Sequence, residues 1–295
     1  MTNIITDNGQ MYTTPGFWTT AGAVVAGSAV QSAALKSSNF ITKPIIKEMK
    51  KTSQSCDNKT LRAAINDAFT NSKLIQNGVE LLDVKLPKDN SNLSANKKLH
   101  EAISNSLPKF FRNTRYGDIA VEVIKDMIET GNNAAYFVKP KKIGINIDKL
   151  GTSAFHEIGH AINHNQSKVW KLIQGMRLPS MLALGVFSLT ALFKRKKMEG
   201  EQPVNTFDKV TTFIKDNVGK LVLASFVPIV SEELMATSRG NRMAKKLLPS
   251  ELFTKVKKTN RLGAATYISS ALLTAFAAFA ASKTRDAIAK PKPVN

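Results

Sequence analysis

The sequence predicts a mainly α protein, a helical core with a short β-hairpin, joined to apolar helices that contact or span a membrane. Three observations carry this reading. Apolar residues recur at helical spacing through most of the polar part of the chain. Four apolar stretches have lysines or arginines at one or both ends. A single pair of short alternating runs around a turn reads as strand.

In chain order, Phe17 to Leu35 is rich in Ala, Gly and Val and carries no charge. Its small residues four apart, Ala23 and Gly27, allow close helix packing. It reads either as an Ala-rich soluble helix or as a membrane span, and residues 1–35 form an N-terminal apolar helix segment. Residues 36–176 form a polar domain. Leu61, Ala64, Ile65, Ala68 and Phe69 mark one helix, and the run Asp118 to Glu129 marks another. Pro87 to Asn96 reads as a turn-rich linker. Ala135–Val138 and Ile143–Ile147 read as two strands around Lys-Pro-Lys-Lys. Such a hairpin either covers the helix that follows or offers an edge to an extended peptide.

Residues 177–231 hold two apolar stretches, Leu178–Phe193 and Leu221–Val230, read as a helical hairpin. Lys194-Arg195-Lys196-Lys197 follows the first, and Pro228 lies inside the second. Residues 232–261 contain a helix that ends at Pro249. Residues 262–295 hold the last apolar stretch, Leu262–Ala281, and a basic tail. None of the four stretches reaches about 20 strongly apolar residues without interruption.

The chain has 295 residues and a net charge of +20, enough length for a large core and enough charge to draw an anionic partner. The basic residues are not interleaved with stacking aromatics, so nucleic acid is not the expected partner, and anionic lipid is. The single cysteine, Cys56, excludes an intramolecular disulfide and a Cys-x-x-Cys metal site. The N-terminus lacks a basic region, and no small-residue cleavage site follows the first apolar stretch, so no cleaved signal is expected.

Three of the four histidines, His156, His160 and His164, fall within nine residues. His156-Glu157-Ile-Gly-His160 is H-E-x-x-H. At about 100° per residue its two imidazoles lie about 40° apart, one turn separated, close enough to share one Zn²⁺. Glu157 lies on the same side, where it can take a proton from a water at the metal. Ala154, Phe155, Ile158, Ala161 and Ile162 fill the opposite, core-facing arc.

A catalytic zinc needs three protein ligands and an open position. His164 is two turns from His156, about 12 Å along the axis, and reads as a supporting donor or a solvated residue. His100 is a remote candidate. The better one is Glu233, which shares a helical arc with Ala236, Gly240 and Ala244. A carboxylate on such a buried, small-residue face is costly without a cation. Glu232 is the second choice, since its arc turns it toward Arg239 as an ion-pair partner.

Residues 154–164, an apolar hairpin, and Glu-x-x-Ala at Glu233–Ala236 together resemble the integral-membrane zinc metallopeptidases. These are the heat-shock membrane protease and CAAX prenyl protease superfamily and the related bacterial neutral zinc metallopeptidases. The resemblance covers roughly residues 130–248. It implies a helical metallopeptidase core, Zn²⁺ held by His156, His160 and Glu233, Glu157 as general base, and a peptide or protein substrate. The acidic residue that often follows Glu-x-x-Ala in the group is Thr237 here.

The expected activity is therefore a membrane-associated zinc metalloendopeptidase. The alternative is a basic membrane-associated adaptor with a structural or degenerate zinc site. The oxyanion partner stays open among Arg239, Tyr267 and His164. No Lys or Arg precedes residue 36, while Lys36, Lys43, Lys47, Lys50 and Lys51 follow it. If Phe17–Leu35 spans, the zinc domain lies on the cytoplasmic side of an inner or plasma membrane.

Overall fold

The computed structural model describes residues 3–85 and 93–294. Strands β1 (Asn3–Ile5) and β2 (Met11–Thr13) precede helix α1 (Phe17–Gln54). Then come α2 (Asn58–Asn71), β3 (Glu80–Asp83), α3 (Leu93–Ser106), α4 (Lys109–Arg112) and α5 (Arg115–Glu129). Strands β4 (Ala135–Phe137) and β5 (Lys142–Ile145) lead through α6 (Ile147–Leu150) to α7 (Ala154–Gln166) and α8 (Lys168–Gly175). The chain continues as α9 (Arg177–Phe193), α10 (Thr206–Asp216), α11 (Val218–Ser225), α12 (Val227–Leu247), α13 (Ser250–Ile288) and β6 (Lys292–Pro293). The fold is mainly α.

It divides into two compact units, one of residues 42–175 and 230–267, the other of 1–41, 176–229 and 268–295. Helices α1, α12 and α13 contribute to both.

The first unit is a layered core built on a small sheet. The expected β4–β5 hairpin is present, and β3, which the sequence did not reveal, pairs in parallel with β5. β5 is thus the middle strand and alternates between two cores. Ile143 and Ile145 point into a cluster with Leu61, Ile65 and Phe69 of α2 and Phe155 and Ile158 of α7. Leu82 and Phe137, from the neighbouring strands, join Leu99 and Ile103 of α3 and Val121 and Ile128 of α5.

α2 buries the five residues that its periodicity marks and is capped by Asp57, whose side chain accepts from Thr60 N. β5 ends at Ile145 rather than Ile147, because the Asn146 side chain accepts from Lys149 N and starts α6. The expected linker at Pro87–Asn96 is shorter, since Leu93–Asn96 opens α3; its first six residues lie outside the described ones. The start of α7 is fixed at Thr152, whose N–H donates to Ser53 Oγ at 3.2 Å and whose hydroxyl donates to Thr259 Oγ1 at 3.1 Å.

In the second unit, α9 and α11 pack through Ala191, Val218 and Val222 against Ala275 and Ala278 of α13. A small antiparallel sheet, β1-β2-β6, accompanies them. Its three strands hold eight residues, too few to leave an alternating pattern in the sequence.

Among the described residues, three helical stretches are long and apolar enough to cross a membrane: Lys168–Phe193, Val218–Leu247 and Ser250–Ile288. This associates the chain with membranes. α1 is not among them, so the orientation expected from Lys36–Lys51 loses the span it presupposed. The second apolar stretch of the expected hairpin is interrupted: α11 ends at Ser225, and α12 starts at Val227 with Pro228 in its first turn, where its missing N–H costs nothing.

Candidate metal centre

Two helices of the layered unit, α7 and α12, supply the site. They meet backbone to backbone. A Cβ on Gly159 would sit 2.3 Å from Ala236 O, and one on Gly240 would sit 2.6 Å from Phe155 O. Glycine at both points therefore sets the spacing between the helices. The small-residue arc expected on α12 is the arc that meets α7, and Ala236 and Ala244 are fully buried in it.

At this crossing His156, His160 and Glu233 converge. His156 Nε2 lies 3.1 Å from Glu233 Oε2, and His160 Nε2 lies 3.2 Å from the same oxygen. The two Nε2 atoms are 2.9 Å apart. Three atoms of three side chains thus form one nearly equilateral triangle. Tetrahedral bonds of about 2.0–2.1 Å place neighbouring ligand atoms about 3.3–3.4 Å apart, so a few tenths of an ångström of spreading would admit Zn²⁺.

The surrounding bonds decide which ring atoms carry protons. His160 Nδ1 lies 2.8 Å from Glu232 Oε1, a pure acceptor when ionised, so Nδ1–H donates, and in the neutral ring Nε2 keeps its lone pair. His156 Nδ1 lies 3.1 Å from Thr237 Oγ1 and in the same tautomer donates to it. Both Nε2 lone pairs and the Glu233 carboxylate then face one another within 3.2 Å. One proton could satisfy one side of that triangle but not all three. A cation at its centre satisfies all of them.

Burial sharpens the requirement. Glu232 and Glu233 are 0% and 1% exposed, and a buried carboxylate is stable only when hydrogen-bonded and balanced by positive charge. Glu232 obtains its bonds from His160 Nδ1 and from Asn163 Nδ2, which donates at 2.9 Å. This corrects its expected place beside Arg239: the two charges lie within Coulombic reach, but the side chain supports His160. Thr237 likewise supports a ring, its hydroxyl lying 3.1 Å from His156 Nδ1.

Glu157 is 6% exposed and places a carboxylate oxygen within 4.8 Å of ring nitrogens of both histidines. It is near the triangle without belonging to it.

Two other histidines fall outside. His164 interacts with Gln174 and packs 6.2 Å from the Tyr136 ring, and burial pushes its imidazole below the ordinary value. The supporting donor from that turn is Asn163. His100 lies on α3 beside Glu122 at 3.3 Å, exposed. Asn163 and Thr237 were missed as site residues in the sequence. Asn163 could have been found by its place at i+3 from His160, on the histidine face of the wheel.

No family model, curated protein or solved structure matches this chain.

Proposed function

We propose that this chain is a membrane-associated zinc metalloendopeptidase, with zinc held by His156, His160 and Glu233. The observation that carries the reading is the triangle of two imidazole lone pairs and one buried carboxylate, with its edges of 2.9–3.2 Å. Zinc bound there would supply Lewis acidity, lowering the pKa of water and polarising a peptide carbonyl.

The rest of the work falls to the protein. Glu157, beside the triangle, takes the proton of the attacking water and passes it to the leaving amine. Glu232 and Thr237 hold the imidazoles in the tautomer that points both Nε2 atoms inward. Asn163 keeps the Glu232 carboxylate in register. β4 is an outer strand of the sheet in the same unit as α7, a position from which an extended peptide can be held by main-chain hydrogen bonds.

The test is metal analysis of the detergent-purified protein beside cleavage of an unfolded substrate such as casein. Wild type should carry one equivalent of zinc and cleave. Glu233→Ala should lose both properties. Glu157→Gln should keep the metal and lose cleavage. Zinc with no cleavage in wild type would favour the adaptor reading, and no zinc in wild type would overturn the site.

A further inference from the structure

Helix α10 is turned inside out. Its only buried residue is Lys215, while Phe207, Val210 and Phe213 are 76%, 51% and 59% exposed. A helix on the surface of a water-soluble unit shows the reverse arrangement.

The inversion is fixed by bonds on the inward face. Asp208 pairs with Lys194 and with Lys197, the latter at 2.8 Å, in the basic run that follows α9. One heptad later on the same face, the Lys215 ammonium donates to Ala191 O at 2.6 Å and pairs with Asp286 at 3.0 Å. Ala191 lies in the last turn of α9, where carbonyls lack helical partners and carry the negative end of the dipole. With Asp208 and Lys215 both held inward, α10 cannot roll, and its aromatic face must look outward. Asn205 caps the helix, its side chain accepting from Asp208 N at 2.8 Å, so the helix begins at a defined point.

The surroundings indicate what that face meets. α10 connects α9 and α11, two apolar helices of this unit, and α9 presents exposed Leu182, Val186, Leu189 and Phe193 along one stripe. Around the ends of these helices Lys196, Lys209, Lys220, Lys283, Lys290 and Lys292 are exposed bases, while Glu199, Asp216 and Asp7, beside Gly200 and Gln202, are exposed acids. An apolar stripe for hydrocarbon, an aromatic face at its end and an excess of lysine complement a bilayer with anionic headgroups.

We propose that α10 lies in the plane of the membrane interface, with Phe207, Val210 and Phe213 at the acyl boundary and the neighbouring lysines among anionic phospholipid headgroups. The inference is independent of the metal centre.

The test uses the full-length chain with Cys56→Ser and single cysteines at Phe207, Val210 or Phe213, each labelled with an environment-sensitive fluorophore. A cysteine at Asp67, exposed on α2 of the other unit, is the aqueous control. In phosphatidylglycerol-containing vesicles the three α10 probes should be quenched by lipids spin-labelled near the headgroup, and several-fold less than the control by iodide. Vesicles of phosphatidylcholine alone, or high salt, should shift the probes toward water. These positions are exposed, so the substitutions leave the packing of the unit intact. Equal iodide quenching at all four positions would overturn the proposal. So would quenching only by deep spin labels, which would make α10 part of a span, or protection from both quenchers, which would show a protein cover. Indifference to anionic lipid and to salt would overturn the headgroup contact.

Discussion

Single side chains at the triangle can be separated by what each loses. Glu157 touches no ligand nitrogen at bonding distance, so Glu157→Gln should leave zinc content near wild type. Loss of the general base should slow cleavage by about 10²- to 10⁴-fold; unchanged turnover would remove Glu157 from its role. Glu232 acts through His160. Glu232→Gln preserves an acceptor for Nδ1–H but removes the charge that fixes the tautomer, so zinc affinity should fall by about 10- to 100-fold. Competition with a fluorescent chelator measures this. An affinity equal to wild type would mean that Glu232 is only a buried acid with convenient neighbours. The adjacent carboxylates Glu232 and Glu233 thus predict different phenotypes: a weakened site for one and an absent site for the other.

At the scale of elements, the crossing of α7 and α12 tolerates nothing larger than glycine at two points. Gly240→Ala would press a methyl into the Phe155 carbonyl, and Gly159→Ala into that of Ala236. Neither obstacle is a flexible side-chain tip, so the helices must separate. Each change should cost about 1–3 kcal/mol and lower zinc occupancy with stability, read by thermal unfolding with and without metal. A second link ties α2, β3 and α6 beside α7. Asp148 accepts from Asn58 and Lys85, each at 2.6 Å, and from Arg62, which also bonds Asp83 at 2.5 Å. Although partial burial works against its charge, these bonds hold the Asp148 carboxyl well below its ordinary value. Its stabilisation is therefore complete above the unfolded value of about 3.9 and is lost as pH falls through the folded one. Because the cluster is about a third exposed, Asp148→Asn should cost only about 1 kcal/mol at pH 7. The gap between variant and wild type should narrow as pH drops below about 4; a gap constant down to pH 3 would deny the ionic origin.

For the whole molecule, the features visible in the sequence are those carried by periodicity and by rare residues. Scarce histidines at helical spacing marked α7, and a carboxylate on a small-residue arc marked Glu233, both without any neighbour in space. What escaped was set by contacts distant in sequence. β3 is four residues whose strand identity comes from pairing with β5, more than 60 positions later. Glu232 was assigned to its own helix face, while its actual partners, His160 and Asn163, come from another helix. Hydropathy, too, located the apolar stretches but could not tell a face that packs from one that is left open. The structure separates them: α9 buries Ala191 and Leu192 and leaves Leu178, Met181, Leu182, Val186, Leu189 and Phe193 uncovered. On α13, Ile268, Leu272, Phe276 and Phe279 form a second open stripe at helical spacing. Two such stripes exceed what a water-soluble unit can leave uncovered without aggregating. The chain should accordingly stay with the membrane fraction after high-salt and alkaline carbonate washes and enter solution only with detergent. Release by salt alone would mean that the lysines, rather than these stripes, hold the protein at the bilayer, because ionic contacts to headgroups are screened within about 10 Å at 0.1 M salt and buried apolar area is not.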